Sequence, residues 1–189
     1  MKKLAVYCGS SMGADPGFAE TARALGAEMA RRGIGLVYGG AHRGLMGVVA
    51  DAVLGAGGEA YGVIPQALVD LEVAHTGLTE LHCVSNMHER KAKMTELCDA
   101  FVALPGGIGT FDELFEAWTW NALGYHAKPF ALLNVDGFWD GLVDFLDHTM
   151  RSGFMSQARR DQLIVAGTIG EALDRLAGAA GRGTAAMVW

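Results

Sequence analysis

The chain has 189 residues, of which 51% are hydrophobic, with 27 glycines and only 4 prolines, a composition typical of one folded domain and not of a disordered segment. Its formal net charge of −6 argues against sequence-independent binding to nucleic acid, because neutralising phosphates requires a basic surface. No apolar stretch reaches the roughly 18 residues of a membrane span, and the N-terminus lacks the apolar region of a secretory signal, so we expect neither membrane insertion nor export.

The cysteines and histidines indicate no metal site. Cys8, Cys83 and Cys98 are odd in number and lie far apart without a CxxC pair, which predicts neither a disulfide framework nor a zinc site and favours a reducing cytoplasm. None of the 6 histidines belongs to an HxxH or HExxH pattern. We therefore expect a cytoplasmic protein with no metal and no cofactor.

Short apolar runs rich in β-branched and aromatic residues alternate with longer segments of helical periodicity, which predicts βα units in a doubly wound parallel α/β sheet. The predicted strands are Leu4–Cys8, Gly35–Tyr38, Glu59–Val63, Glu80–Val84, Ala100–Leu104, Phe130–Asn134 and Leu163–Val165. The predicted helices are Phe18–Arg32, Leu45–Gly55, Met87–Leu97, Thr110–Leu123, Trp139–Arg151 and Ile169–Ala177. Residues 1–180 are expected to form a single domain, followed by a flexible tail at residues 181–189.

Three glycine-rich turns follow predicted strands: CGSSMG from Cys8, YGGAHRGLMG from Tyr38 and LPGGIGTFDE from Leu104. Ligands of an open parallel sheet bind beyond the carboxyl ends of its strands, where such turns and helix N-termini direct N–H groups at anions. None of the turns is a dinucleotide or P-loop motif, so a smaller phosphate ligand is favoured. One such turn alone is equally well explained as a tight connection, but three on one edge favour binding. Without a GxSxG motif, Ser10 and Ser11 are expected to donate to a phosphate and not to act as nucleophiles.

Glu113 can be interpreted as a helix-capping residue or as a carboxylate of the binding site. The glycines of PGGIGT allow close approach of a ligand, and Thr110 could either contact a phosphate oxygen or cap the helix that follows. Thr110 and Glu113 have the TxxE spacing of a capping box, which the spacing alone favours. Asn86 and Glu89 have a similar spacing at the start of the third predicted helix.

Arg90 lies on the apolar face of the third predicted helix, together with Met87, Met94 and Leu97. A buried guanidinium is costly unless it is paired with an anion. The candidate anions are a ligand phosphate and Glu113, the latter if the fourth and fifth strands are neighbours. The alternative is a side chain that extends to solvent from an apolar stem.

The fourth predicted helix is apolar on more than one side. Phe111, Leu114, Phe115 and Trp118 form one stripe, and Trp120 lies elsewhere on the helix. Such a helix is usually buried on two sides. We expect one side to cover the sheet and the other to contact a second subunit in a symmetric dimer.

Taken together, these segments resemble the LONELY GUY (LOG) family of cytokinin riboside 5′-monophosphate phosphoribohydrolases, long mislabelled as lysine decarboxylases. The resemblance covers nearly the whole chain, and its specific motifs are PGGxGTxxE, ending at Glu113, and MHERK, ending at Lys91. Lys91, Lys93 and Lys128 are the internal lysines and show no arrangement for binding pyridoxal phosphate. The older label therefore conflicts with the residues.

The resemblance implies a Rossmann-like homodimer that hydrolyses the N-glycosidic bond of N6-substituted adenosine 5′-monophosphates, and of AMP. It implies that Arg90 and Glu113 are the catalytic pair. The substrate-binding residues implied in the same way are Gly9, Ser10, Ser11, Gly39, Gly40, Met87, Lys91, Pro105, Gly106, Gly107, Gly109 and Thr110.

Two departures from the family pattern bear on base preference. Ala41 stands where the family usually has a third glycine, and Phe111 and Asp112 replace the usual Leu-Glu pair. The competing function is a non-catalytic carrier of a nucleotide or of molybdenum cofactor, since similar folds with related glycine turns include such carriers. Arg90 and Glu113 favour the enzyme.

Overall fold

Strands and helices alternate along residues 1–71 and 73–181, the part of the chain that the computed structural model describes. The strands are β1 (Lys3–Tyr7), β2 (Gly35–Tyr38), β3 (Ala60–Pro65), β4 (Glu80–Val84), β5 (Ala100–Ala103), β6 (Phe130–Leu133) and β7 (Leu163–Ala166). The helices are α1 (Pro16–Arg31), α2 (Gly44–Gly55), α3 (Gln66–Val69), α4 (Met87–Leu97), α5 (Ile108–Ala122), α6 (Asp140–Arg151), α7 (Gln157–Arg160) and α8 (Ile169–Ala180). The tail predicted at residues 181–189 lies outside the described residues from residue 182 onward.

All the predicted strands and helices are present, with ends that differ from the prediction by three residues at most. The two short helices, α3 and α7, had no sequence signal, since four residues are too few to show a helical period. Helix α1 illustrates why the ends agree. Asp15 accepts a hydrogen bond from the Gly17 N–H at 2.8 Å. Just past the other end of the helix, Gly33 has a φ of +66°, the left-handed conformation in which glycine commonly terminates a helix.

The strands form one parallel sheet in the order β4-β3-β2-β1-β5-β6-β7. Strand β1 is central, with Leu4 beside Leu36 of β2 on one side and Ala100 of β5 on the other. The chain order reverses between β1 and β5, which makes the doubly wound topology predicted from sequence. In such sheets the crevice at the reversal is where ligands bind.

Helices cover the sheet on both faces. Alternate strand side chains, such as Leu4 and Val6, pack with α1, α2 and α8 in one core cluster. The intervening ones, such as Ala5 and Tyr7, pack with α4, α5 and α6 in the other. Among the described helices none is both long enough and apolar enough to span a membrane.

Helix α4 takes a long path across the sheet. Strand β4 is at the edge, and three strands separate it from β5, so the condition under which Glu113 was a candidate partner of Arg90, neighbouring fourth and fifth strands, is not met. Local sequence patterns do not determine strand order. Because α4 must connect these distant strands, it packs over β3, β2 and β1. This crossing brings α4 to the N-terminal part of α5.

Candidate functional site

Arg90 anchors the candidate site from α4. The helix starts after Asn86, whose side chain accepts a hydrogen bond from the Glu89 N–H at 2.9 Å, as predicted. Arg90 is only 7% exposed, so the alternative of a side chain extended into solvent is wrong. Its Nε donates to the Val63 carbonyl at 3.1 Å and its Nη2 to the Gly39 carbonyl at 3.2 Å. These bonds hold the guanidinium at the carboxyl ends of β2 and β3.

Glu113 faces Arg90 from α5. Arg90 Nη1 and Glu113 Oε1 are 3.5 Å apart, and the glutamate side chain is 11% exposed. A strong hydrogen bond between such ions is about 2.7–2.9 Å long, so the pair attracts without being locked together. The structure thus brings together the two residues expected to be catalytic.

The surroundings of Glu113 disfavour its ionised form. Burial raises the pKa of Glu113 to about 7, while the Arg90 charge acts in the opposite direction and the Asp112 charge adds to the rise. Burial also raises the pKa of Tyr7 well above its usual value, and the Glu113 charge is the next cause. A carboxyl group with a pKa near neutrality can take up and release protons at physiological pH.

Thr110 and Glu113 do not form the capping box that their spacing favoured. Helix α5 begins at Ile108, with Gly107 as its N-cap and no capping bond from a side chain. Thr110 is therefore the third helical residue, and Glu113 lies in the second turn, beyond the position from which a capping carboxylate reaches back. The Glu113 carboxylate is left available to Arg90.

The first and third glycine turns pack against each other. The Gly9 N–H donates to the Pro105 carbonyl at 3.1 Å. A Cβ on Gly106 would lie 2.1 Å from the Thr110 hydroxyl oxygen, so only glycine fits there, and Thr110 itself is buried. The first N–H groups of α5 lack acceptors within the helix. Together with the helix dipole, they make this end of α5 suitable for a phosphate.

The second turn supports Arg90 directly. A Cβ on Gly39 would lie 1.8 Å from Arg90 Nη2, so glycine is needed for the observed position of the guanidinium. Gly40 has a φ of +75°, a conformation that glycine adopts without strain. Ala41 is buried and pairs with Ala74 in an isolated antiparallel bridge. The bridge ties this turn to the segment before β4.

Lys91 is directed to carboxylates of α5. Its Nζ lies 3.0 Å from Asp112 Oδ2 and 3.0 Å from Glu116 Oε1, and its side chain is 8% exposed. Burial acts to lower the pKa of Lys91, yet the bonds to Glu116 and Asp112 outweigh it and hold the pKa above its usual value. The partnership with Glu116 had not been inferred from sequence. Its only signal was the spacing of the three acidic residues on one side of α5.

The remaining predicted binding residues line the opening of the site. Met87 is exposed and its Sδ lies 3.8 Å from Arg90 Nη1. Ser10 and Ser11 are exposed, next to the N-terminus of α2, where a Cβ on Gly44 would lie 2.3 Å from the Ser10 carbonyl carbon. Gly107 and Gly109 are exposed at the start of α5.

A small cavity adjoins the glycine turns and was not predicted. Its volume is about 250 Å³. The lining combines turn backbone with apolar side chains: Gly9, Ser11, Met12, Gly13, Phe18, Leu45, Pro105, Gly106, Gly107 and Phe138. Phe138 follows β6 and meets Phe18 of α1 with ring centroids 5.5 Å apart. This contact cannot be predicted without the order of the strands in the sheet.

Within residues 1–71 and 73–181, no group of three or more His, Cys, Asp or Glu side chains is arranged to hold a metal ion.

Comparison with known proteins identifies relatives over most of the chain. A family model described as "Possible lysine decarboxylase" matches residues 46–176. Cytokinin riboside 5′-monophosphate phosphoribohydrolase LOG of Oryza sativa subsp. japonica is 46% identical over 175 residues, which cover 93% of this chain and 72% of that protein. The cytokinin riboside 5′-monophosphate phosphoribohydrolase of Rhodococcoides fascians is 47% identical over 165 residues, covering 87% of this chain and 83% of that protein.

A solved structure shares the fold with lower sequence similarity. The molybdenum cofactor binding protein of the phototrophic bacterium Rippkaea orientalis superposes with a TM-score of 0.70 at 19% identity, covering 93% of this chain and 95% of that chain. At this identity the likeness concerns the fold alone, since one fold supports many functions.

Proposed function

The chain belongs to the LOG family of cytokinin riboside 5′-monophosphate phosphoribohydrolases, and from this we propose that it hydrolyses the N-glycosidic bond of N6-substituted adenosine 5′-monophosphates, and of AMP. The products are the free base and ribose 5-phosphate. The observation that carries the proposal is the buried pair of Arg90 and Glu113, 3.5 Å apart, beside the glycine turns.

Glu113 supplies the chemistry. Breaking the bond between C1′ and the base nitrogen leaves the electron pair on the base and builds positive charge on the ribose, as in other glycoside hydrolyses. An ionised Glu113 stabilises that charge, or takes a proton from the water that adds to C1′. Both roles need the carboxylate form, which a pKa of about 7 makes available at neutral pH.

Arg90 orients the carboxylate and holds substrate. A guanidinium remains protonated in proteins, so it is a fixed positive charge and not a base. Its bonds to the Val63 and Gly39 carbonyls fix its plane, and its remaining nitrogen faces Glu113.

The glycine turns bind the 5′-phosphate. The N-terminus of α5 forms the anion site, and the bond from the Gly9 N–H to the Pro105 carbonyl holds the first turn beside it. Binding energy from the phosphate positions the distant glycosidic bond. We expect a nucleoside without phosphate to be a poor substrate, and equal turnover of adenosine and AMP would contradict this part of the proposal.

The first experiment is chromatography of products after incubation with isopentenyladenosine 5′-monophosphate and, separately, with AMP. Release of free base from either supports the proposed reaction, and the ratio of the two rates reports the base preference. Binding of both nucleotides without release of base would favour a carrier instead. The likeness to the molybdenum cofactor binding protein supports only a common fold, so the carrier has no specific observation in its favour.

A homodimer is also part of the proposal. Leu114 and Trp118 of α5 are buried, whereas Phe115 is 37% exposed and stacks on Trp118 with ring centroids 6.2 Å apart. These rings border a groove of about 480 Å³ that also includes Met155 and Phe154, the latter 88% exposed. Large exposed apolar groups at one place are typical of an interface.

Sedimentation equilibrium tests the dimer. We expect the wild type to sediment as a dimer, and Phe154→Ser with Phe115→Ser to favour the monomer. A monomeric wild type at every concentration would overturn this part of the proposal.

A cytoplasmic location is proposed as well, supported by the free state of all three cysteines.

A further inference from the structure

Two sets of ion pairs join α4 to α5 side by side. Arg90 meets Glu113 at 3.5 Å, and the next residue, Lys91, meets both Asp112 and Glu116 at 3.0 Å. The two basic side chains are buried. Their partners occupy successive positions on the same side of α5, so the contacts of Lys91 bracket Glu113 in sequence.

The ion pairs of Lys91 with Asp112 and Glu116 determine the charge around Glu113. The Asp112 side chain is 57% exposed and that of Glu116 is 20% exposed, and without Lys91 their two negative charges would oppose a third one beside them. Both act to raise the pKa of Glu113, and Lys91 acts to lower it. One lysine against two carboxylates leaves this cluster with a net charge of −1, and without the lysine it would be −2.

The ion pairs of Lys91 also fix the distance between α4 and α5. An ammonium group has three donors, and the contacts with Asp112 and Glu116 use two of them. The two ion pairs of the buried Lys91 therefore hold the second and third turns of α5 at a set distance from α4. A shift of α5 would change the separation of Arg90 and Glu113.

We propose that Lys91, by holding Asp112 and Glu116 together, is a positioning residue that keeps the Glu113 carboxylate opposite Arg90 and limits the negative charge around it. This inference rests on the proposed hydrolysis. It replaces the expectation that Lys91 binds substrate directly, because its ammonium group is occupied by two carboxylates of its own chain.

Other charged and titratable groups near Glu113 stay constant in the test. Glu113 is faced by Arg90 of α4, by Tyr7 at the end of β1 and by Cys8, the next residue; the Glu113 charge helps to raise the pKa values of Tyr7 and Cys8. A change at Lys91 leaves all three in place. Any shift in the ionisation of Glu113 is then assigned to the Lys91 cluster.

The test compares Lys91→Met with Lys93→Met. Lys93 lies on the same helix and pairs with Glu96 at 2.9 Å near the surface, so it is a matched control. In Lys91→Met we expect kcat for AMP to fall at least about tenfold, with KM changed less than about twofold. The acidic limb of the pH profile should move up by about one pH unit. Lys93→Met should leave all three unchanged.

A double variant separates charge from geometry. Lys91→Met with Glu116→Gln restores the net charge of −1 without restoring the ion pairs. The acidic limb should return toward the wild-type pH while kcat stays low. Lys91→Arg, which keeps the charge and can reach the carboxylates, should recover most of kcat. A raised KM with an unmoved limb in Lys91→Met would overturn the proposal and restore direct substrate binding.

A measurement without turnover keeps this inference separate from the proposed reaction. The side-chain carboxyl ¹³C resonance of Glu113, assigned by its loss in Glu113→Gln, reports the ionisation directly. It should titrate at higher pH in Lys91→Met than in the wild type, and at the same pH in Lys93→Met. Equal titration in all three proteins would contradict the inference. If the resonance shifts but no base is released by the wild type, the charge coupling stands and the proposed hydrolysis fails.

Discussion

The two helical layers of the sheet are built from different chemistry. The layer of α1, α2 and α8 buries mostly aliphatic and small side chains, and its ion pairs, such as Arg32 with Asp174, lie toward solvent. The layer of α4, α5 and α6 buries aromatic rings together with the charged side chains of Arg90 and Lys91. One sheet therefore carries an apolar layer on one face and a layer with buried charge on the other.

The lengths of the ion pairs do not rank their importance. Arg32 Nη1 and Asp174 Oδ1 are 2.5 Å apart, but the Asp174 side chain is 71% exposed, and pairs at the surface contribute about 0–1 kcal/mol. Arg90 and Glu113 are 3.5 Å apart but buried, where the cost of removing charges from water can exceed the attraction between them. The first layer therefore serves stability, whereas the second keeps charge in place at a cost in stability.

The largest expected effect comes from Glu113→Gln. The amide keeps the size of the side chain but cannot stabilise positive charge or accept a proton as a carboxylate does, so we expect release of base to fall by about 10³-fold or more. The fold should remain, because the change removes a charge from a buried site. Chromatography of products and thermal unfolding measure the two effects.

Glu171→Gln is the matched change in the other layer. Glu171 accepts a hydrogen bond from the Gly167 N–H and pairs with Arg175 on α8. Activity should stay at the wild-type level. Activity near wild type in Glu113→Gln, or a comparable loss in Glu171→Gln, would remove the functional distinction between the layers.

A smaller loss is expected from Gly39→Ala. The new Cβ would lie 1.8 Å from Arg90 Nη2, and the flexible arginine would have to move from its place opposite Glu113. We expect turnover to fall about 10²-fold and stability by about 1–2 kcal/mol, measured by initial rates and urea unfolding.

Gly178→Ala is the control for that substitution. Gly178 lies within α8, and nothing among the described residues lies within 4 Å of an added Cβ. Alanine is the better helix former, so stability should rise by about 0.5–1 kcal/mol with activity unchanged. If Gly39→Ala behaves like Gly178→Ala, the second turn does not set the position of Arg90.

The sequence predicted the local structure well because local patterns determine it. Helical spacing placed Arg90 on the buried face of α4, and Asn86 marked the start of that helix. The same local reasoning misassigned Thr110 and Glu113, because a TxxE spacing occurs equally in a capping box and in the second turn of a helix that begins two residues earlier. Spacing cannot tell these apart.

Long-range order could not be predicted. Nothing in the segments around Glu80–Val84 and Ala100–Ala103 indicates that three strands lie between them. The contact of Arg90 with Glu113 was considered only on the condition that the two strands were neighbours, and it arises instead from the crossing of α4 over the sheet. The partners of Lys91 depend on the same crossing.

The pH dependence of stability should differ between the layers. The pKa of Glu113 is raised from 4.5 to about 7 in the folded chain, mainly by burial, so the folded state binds the proton more tightly. Its contribution to stability is full below about pH 4.5 and is lost as pH rises through 7. The free energy of unfolding of Glu113→Gln should therefore rise relative to that of the wild type by about 2–3 kcal/mol between pH 4.5 and 7.5, measured by urea unfolding.

Glu171 should show the opposite sign. Its pKa is lowered by the bond to Arg175 and by the Gly167 N–H, so its contribution is present above the unfolded value and lost as pH falls through the lower folded value. Glu171→Gln should thus narrow its difference from the wild type on acidification. A flat difference for Glu113→Gln between pH 4.5 and 7.5 would mean that its carboxyl group is not desolvated.

The smallest effect concerns two helix caps with the same role in different layers. Thr168 accepts from the Glu171 N–H at 3.2 Å at the start of α8, and Asn86 accepts from the Glu89 N–H at 2.9 Å at the start of α4. Each change to alanine should reduce the free energy of unfolding by about 1 kcal/mol. Only Asn86→Ala should also lower kcat, by a few-fold, because fraying at the start of α4 loosens the turn that carries Arg90. Equal stability losses with equal, unchanged activities would show that Arg90 is held by its carbonyl partners alone and that the start of α4 contributes no positioning.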